Sequence, residues 1–168
     1  MGIGVEIERK FVIMKPDMSK LESIDGYSSS DIDQTYLTSD PGVTRRVRSR
    51  RYGKCTVYTE TKKTRVDEMS SLEDEKELEK QEYEILLGEI KEGTSTIRKT
   101  RITFKHLSRV FEVDVYPEWT RTCILEVELP SRDEVVEIPD FITVVEEVTG
   151  DKRYSNAAMA HKFPDELI

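Results

Sequence analysis

The stretch Glu6-Ile7-Glu8-Arg9-Lys10-Phe11 decides the fold. In an extended strand successive side chains point to opposite faces, so Glu6, Glu8 and Lys10 share one face while Ile7 and Phe11 point the other way. The segment reads as a strand over about residues 3 to 14 with one ionised face.

Outward along the chain the same period returns. Arg46 and Arg48 share a face opposite Val47; Lys99, Arg101 and Lys105 share one opposite Ile102 and Phe104. Glu112 and Asp114 lie opposite Val113 and Val115, and Glu126 and Glu128 lie opposite Leu125, Val127 and Leu129. The alternation predicts further strands near residues 31 to 38, 43 to 52, 55 to 65, 70 to 78, 95 to 106, 109 to 116 and 121 to 129. Asp40-Pro41-Gly42, Tyr52-Gly53-Lys54, His106 to Ser108 and Pro117-Glu118 read as turns, short enough to favour antiparallel neighbours. A helix is expected from about Glu79 to Glu92, where Tyr83, Leu86, Leu87 and Ile90 recur at helical spacing and Gly93 caps the end. Shorter helices are expected over Asp17 to Glu22 and Asp151 to Phe163.

Two architectures place charge on one face of every strand. In a sandwich the ionised faces are solvated and the apolar faces make the core. In a closed barrel the ionised faces line the lumen. Whole strands here are basic (the third and sixth) or acidic (the seventh and eighth), whereas an ordinary solvated face mixes signs. A lumen with opposed carboxylates and cations suits a polyanion with its metal: arginine forks grip phosphate oxygens, and clustered carboxylates take hard cations such as Mg²⁺ or Mn²⁺.

Composition narrows the partners. The 168 residues are about one domain's worth, and no repeat or linker divides residues 1–168. With 26 Lys and Arg against 34 Asp and Glu, the net charge of -8 speaks against nonspecific binding to nucleic acid or an anionic membrane. Cys55 and Cys123 form no metal or disulfide pattern, and no long apolar span occurs, so a soluble cytoplasmic protein is expected. His106 and His161 lack a partner at ligand spacing, Ser155 lacks a nucleophile elbow, and Trp119 reads as a loop anchor.

The ordered motifs resemble those of the CYTH superfamily, the triphosphate tunnel metalloenzymes. Glu6-Ile7-Glu8-Arg9-Lys10 is similar to its ExExK strand, Gln34-Thr35-Tyr36-Leu37 to QxYL, Arg46-Val47-Arg48 to RxR, and Thr61-Lys62-Lys63 to TxK. Glu73 and Glu75 resemble the ExE strand, Lys99-Thr100-Arg101 the KxR strand, Glu112-Val113-Asp114 the ExD strand and Leu125 to Leu129 the LExEL strand. Glu147 to Asp151 and Tyr154-Ser155-Asn156 resemble the closing helix signature. The sequence departs from the family where Ser71 stands in place of a frequent Arg.

The resemblance implies a mainly β fold with a few helices, a closed eight-stranded antiparallel barrel. It implies Glu6, Glu8, Glu126 and Glu128 as catalytic and metal-holding residues, with Asp114 a further metal contact. Lys10, Arg46, Arg48, Lys63, Lys99 and Arg101 would bind the substrate, and Glu73, Glu75 and Glu112 are additional candidates. The implied activity is Mg²⁺- or Mn²⁺-dependent hydrolysis of inorganic triphosphate or a related small triphosphate. Class IV adenylyl cyclase and thiamine triphosphatase use the same signature on ATP and thiamine triphosphate. A noncatalytic polyphosphate- or nucleotide-binding module is the alternative of a different class, disfavoured because binding an anion gains nothing from so many carboxylates.

Overall fold

The computed structural model describes residues 2 to 167. Period-two alternation becomes eight long strands: β1 (Gly2–Met14), β2 (Ser28–Leu37), β3 (Val43–Tyr52), β4 (Cys55–Arg65), β5 (Ser70–Leu78), β6 (Ile97–His106), β7 (Arg109–Val115) and β8 (Thr122–Glu128). They hydrogen-bond in the order β5-β4-β3-β2-β6-β7-β8-β1, and β5 also pairs with β1, so the sheet closes on itself. Every pairing is antiparallel. The barrel, not the sandwich, is the architecture.

Closure uses β1 in two halves. Gly2 to Ile7 pair with β5, while Phe11 to Ile13 pair with a short ninth strand, β9 (Val144–Glu147), which the sequence reading did not anticipate. Its sequence, Val-Val-Glu-Glu, has no alternation and its residues are exposed, so neither period nor burial marks it.

The apolar faces point outward and are covered by chain. Phe11, Phe104, Phe111, Val113, Leu125 and Val127 form a buried cluster with Leu21 of α1 (Met18–Glu22) and with Ile142 from the segment that follows β8. Val47 and Leu37 are covered by Leu78 and Tyr83, the latter on α2 (Lys80–Leu86). A third cluster joins inward Val12, Ile97, Ile124 and Tyr116 to Trp119 of the β7–β8 connection and to Tyr154 and Met159 of the C-terminal region, packing one end of the barrel with apolar and aromatic groups. Trp119 is an anchor as expected: its indole donates to the Pro164 carbonyl at 3.0 Å.

Two helices are shorter than the periodicity predicts. α2 stops at Leu86, continues as a single tight turn over Leu87–Glu89, and leaves Ile90 bridged to Leu37 of β2. The expected Asp151 to Phe163 helix is a turn over Lys152–Tyr154 followed by α3 (Asn156–Met159). The break has a local cause: Asp151 caps the Arg153 amide, Ser155 caps the Ala158 amide, and Ser155 itself is extended. Among the described residues no helix is long and apolar enough to cross a membrane.

Candidate active site

The barrel encloses a cavity of about 660 Å³. Glu6, Glu8 and Lys10 of β1, Arg46 and Arg48 of β3, Lys63 of β4, and Glu73 and Glu75 of β5 line it. Lys99 and Arg101 of β6, Glu112 of β7, and Glu126 and Glu128 of β8 complete the ring. Thus the ionised faces point inward. Asp114 lies behind this lining, 1% exposed. Lys105, on the same face of β6, is exposed and does not line the cavity.

Asp114 organises the cations. Its carboxylate accepts from Lys99 Nζ at 2.8 Å and from Arg101 Nε and Nη2 at 2.8 and 2.9 Å. Burial alone would raise its pKa, but Arg101 and Lys99 outweigh that and hold it well below the usual carboxylate range. Burial pushes Lys99 down to about 7, with Asp114 opposing the shift and Arg101 and Arg48 reinforcing it. Arg48 donates twice to Gln34 Oε1, at 2.9 and 2.6 Å, and the Gln34 amide donates to Tyr36 Oη at 2.7 Å. Burial and the nearby Arg46 and Arg101 lower Arg48 to about 9, so it is cationic at neutral pH but crowded by like charge. Arg46 Nε is buried without a hydrogen-bond partner. Such a donor carries a desolvation cost that a phosphate oxygen would relieve.

The carboxylates are crowded in the complementary way. Glu8 faces Glu128 and Glu112 faces Glu126 as direct cross-strand partners, arrangements that repel unless a cation intervenes. Burial, a hydrogen bond with Glu73 and the Glu8 charge raise Glu6 to about 9, while Lys63 sits 3.7 Å from Glu6 and 3.5 Å from Glu73. Burial, Glu112 and Glu73 likewise raise Glu128. Glu126 differs: the effect of burial is overcome by Lys10, 3.5 Å away, and it falls to about 2.

This donor set fits a hard divalent cation. The crowding that raises Glu6 among Glu8 and Glu73 is of the kind a metal's charge would relieve. No three Asp, Glu, His or Cys side chains among the described residues form a ready cage. The Glu8–Glu128 pair could supply the one or two carboxylates that Mg²⁺ takes when water and phosphate complete its shell.

One wall comes from the C-terminal segment. Thr149 Oγ1 accepts from the Lys10 amide at 2.9 Å, the Tyr154 carbonyl accepts from Lys10 Nζ at 3.1 Å, and Asn156 Oδ1 accepts from Lys99 Nζ at 3.3 Å. Gly150, at φ +76°, packs so closely on the β4–β5 loop that a Cβ would lie 3.0 Å from Glu68 Cβ. Tyr36, Thr61, Arg65 and Lys152 also line the cavity and were not among the sequence candidates. Tyr36 could have been found: it lies two residues beyond Gln34, on the same face.

A solved structure of the inorganic triphosphatase NE1496 aligns with 95% of this chain and 96% of its own, at 30% identity and a TM-score of 0.59. A putative adenylate cyclase from Bacillus halodurans aligns over 78% of this chain and 83% of its own, at 19% identity and a TM-score of 0.53. A putative adenylyl cyclase from Hippeastrum, described as having a dominant triphosphatase activity, aligns over 74% and 80% at 15% identity and a TM-score of 0.50. The last two likenesses are of fold. No family model matches the sequence, and no curated protein does.

Proposed function

This chain belongs to the CYTH superfamily of triphosphate tunnel proteins, and from that premise we propose that it is a divalent-metal-dependent phosphohydrolase acting on inorganic triphosphate. The observation that carries the reading is Arg46, whose buried Nε lacks a partner within a ring of further cations lining a closed barrel. A linear polyanion supplies acceptors to several of these donors at once. The likeness to an inorganic triphosphatase at 30% identity over nearly the full length of both chains supports the same substrate.

In this mechanism Arg46, Arg48, Arg101, Lys10, Lys63 and Lys99 grip the phosphate oxygens and hold the phosphoryl group in line for attack. Asp114 keeps Lys99 and Arg101 aimed. Glu8 and Glu128, with Glu6 and Glu126 beside them, would hold Mg²⁺ or Mn²⁺, which supplies charge neutralisation on the phosphoryl group. Glu128, opposite Glu8 across β1 and β8, would also orient the attacking water and accept its proton. The terminal phosphorus–oxygen anhydride bond breaks, giving orthophosphate and pyrophosphate. The test is product identification from inorganic triphosphate, ATP and thiamine triphosphate with Mg²⁺ or Mn²⁺. Orthophosphate released fastest from inorganic triphosphate is expected; cyclic AMP as the main product from ATP would overturn the reading.

A further inference from the structure

Asn156, the first residue of α3, sits where the C-terminal wall meets the cation ring. Its Oδ1 accepts from two donors, Lys99 Nζ at 3.3 Å and Tyr116 Oη at 3.0 Å. An ammonium can only donate, so these contacts fix which end of the amide faces Lys99. The other end, Nδ2, donates to nothing among the described residues and is not a buried unpartnered atom. Because Asn156 lines the cavity, Nδ2 is left as a free donor on the residue that holds Lys99.

We propose that Asn156 is a substrate-binding residue whose amide Nδ2 donates to a phosphate oxygen of the anion in the tunnel. This rests on the triphosphate reading above and extends it: the C-terminal segment reads the substrate directly as well as walling it in. Tyr116 is 1% exposed and locked among Trp119 and Phe163, so the hydroxyl that orients the amide is itself rigid. A preoriented neutral amide adds a hydrogen bond without adding to the repulsion among the cations.

The experiment compares inorganic triphosphate binding and turnover, with Mg²⁺, in wild type, Asn156→Asp and Asn156→Ala, and in each Asn156 change combined with Lys99→Met. Asn156→Asp keeps an acceptor for Lys99 and Tyr116, so a purely structural Asn156 predicts an unchanged melting temperature, while the added charge weakens binding in either case and Asn156→Ala is the deciding variant. The proposal expects that melting temperature with affinity weakened about tenfold or more, because a charged acceptor replaces the donor. Asn156→Ala should also weaken binding, and should do so again in the Lys99→Met background. Unchanged binding in Asn156→Ala, or an effect that vanishes once Lys99 is gone, overturns the proposal by showing that Asn156 acts only through charge or through Lys99. Wild type that neither binds nor cleaves triphosphate overturns the underlying function, a result distinct from either.

Discussion

Lys10 and Glu126 are direct partners across β1 and β8, and their side chains meet at 3.5 Å inside the tunnel, each largely buried. The pair joins the two charge arrays: Lys10 belongs to the phosphate grip and Glu126 to the carboxylates. Replacing Glu126 by Gln preserves shape and removes one negative charge. We expect turnover on triphosphate to fall on the order of 100-fold or more, with triphosphate affinity held or increased because Lys10 loses its competitor. Steady-state kinetics together with calorimetric binding check this, and near-normal turnover would remove Glu126 from the metal site.

Arg48 tests the other array. Arg48→Ala removes a forked donor and leaves Gln34 Oε1 without its two partners. Loss of a charged hydrogen bond of about 1.5–3 kcal/mol translates to binding weaker by roughly 10- to 150-fold. Triphosphate should raise the melting temperature of the wild type and raise that of Arg48→Ala much less. Equal shifts in the two proteins would mean that Arg48 does not touch the substrate.

The tight β6–β7 hairpin gives a prediction about the scaffold alone. Its two linking residues, Leu107 and Ser108, both take positive φ, 48° and 65°, without a glycine. That conformation suits the twist of a two-residue hairpin but strains ordinary side chains. Replacing the two by Asn and Gly should stabilise the fold by about 1–2 kcal/mol with activity unchanged. A denaturation midpoint that stays or falls would contradict the assigned turn.

Glu166 pins the C-terminal tail to the start of β8. Its carboxylate accepts from the amides of Thr120, Arg121 and Thr122 and from the hydroxyls of both threonines. Desolvation opposes ionisation, but these donors outweigh it and bring Glu166 from 4.5 down to about 2. The folded-state pKa is depressed, so the stabilisation is present above the unfolded value and fades as pH falls through about 2. Glu166→Ala should therefore lower the denaturation midpoint at neutral pH, with the gap from wild type narrowing below pH 4.5. A gap of constant size across that range would show that the charge contributes nothing.

How much of this was legible depended on periodicity. Glu6, Glu8 and Lys10 declare their shared face by spacing alone, and the single sign of the charges on β3, β6, β7 and β8 pointed to a lumen rather than a solvated surface. Spacing cannot say how deep a side chain lies. Asp114 shares its face with Glu112, yet the fold sets it behind the lining with its oxygens engaged by Lys99 and Arg101. The C-terminal wall was hardest to read. Its strand is four residues long and exposed, its helix is broken by two caps, and Lys10 is contacted through the Thr149 hydroxyl and the Tyr154 carbonyl. Backbone contacts of that kind leave no pattern in side-chain chemistry.

The most direct test of the central claim follows orthophosphate release from inorganic triphosphate by the purified protein in metal-free buffer, then with Mg²⁺ or Mn²⁺, then with excess EDTA. The crowded carboxylates at Glu6, Glu8 and Glu128 lead us to expect no turnover without metal, turnover on its addition, and loss again with EDTA. Full turnover in metal-free buffer, or triphosphate bound tightly and never cleaved with either metal, would contradict the account.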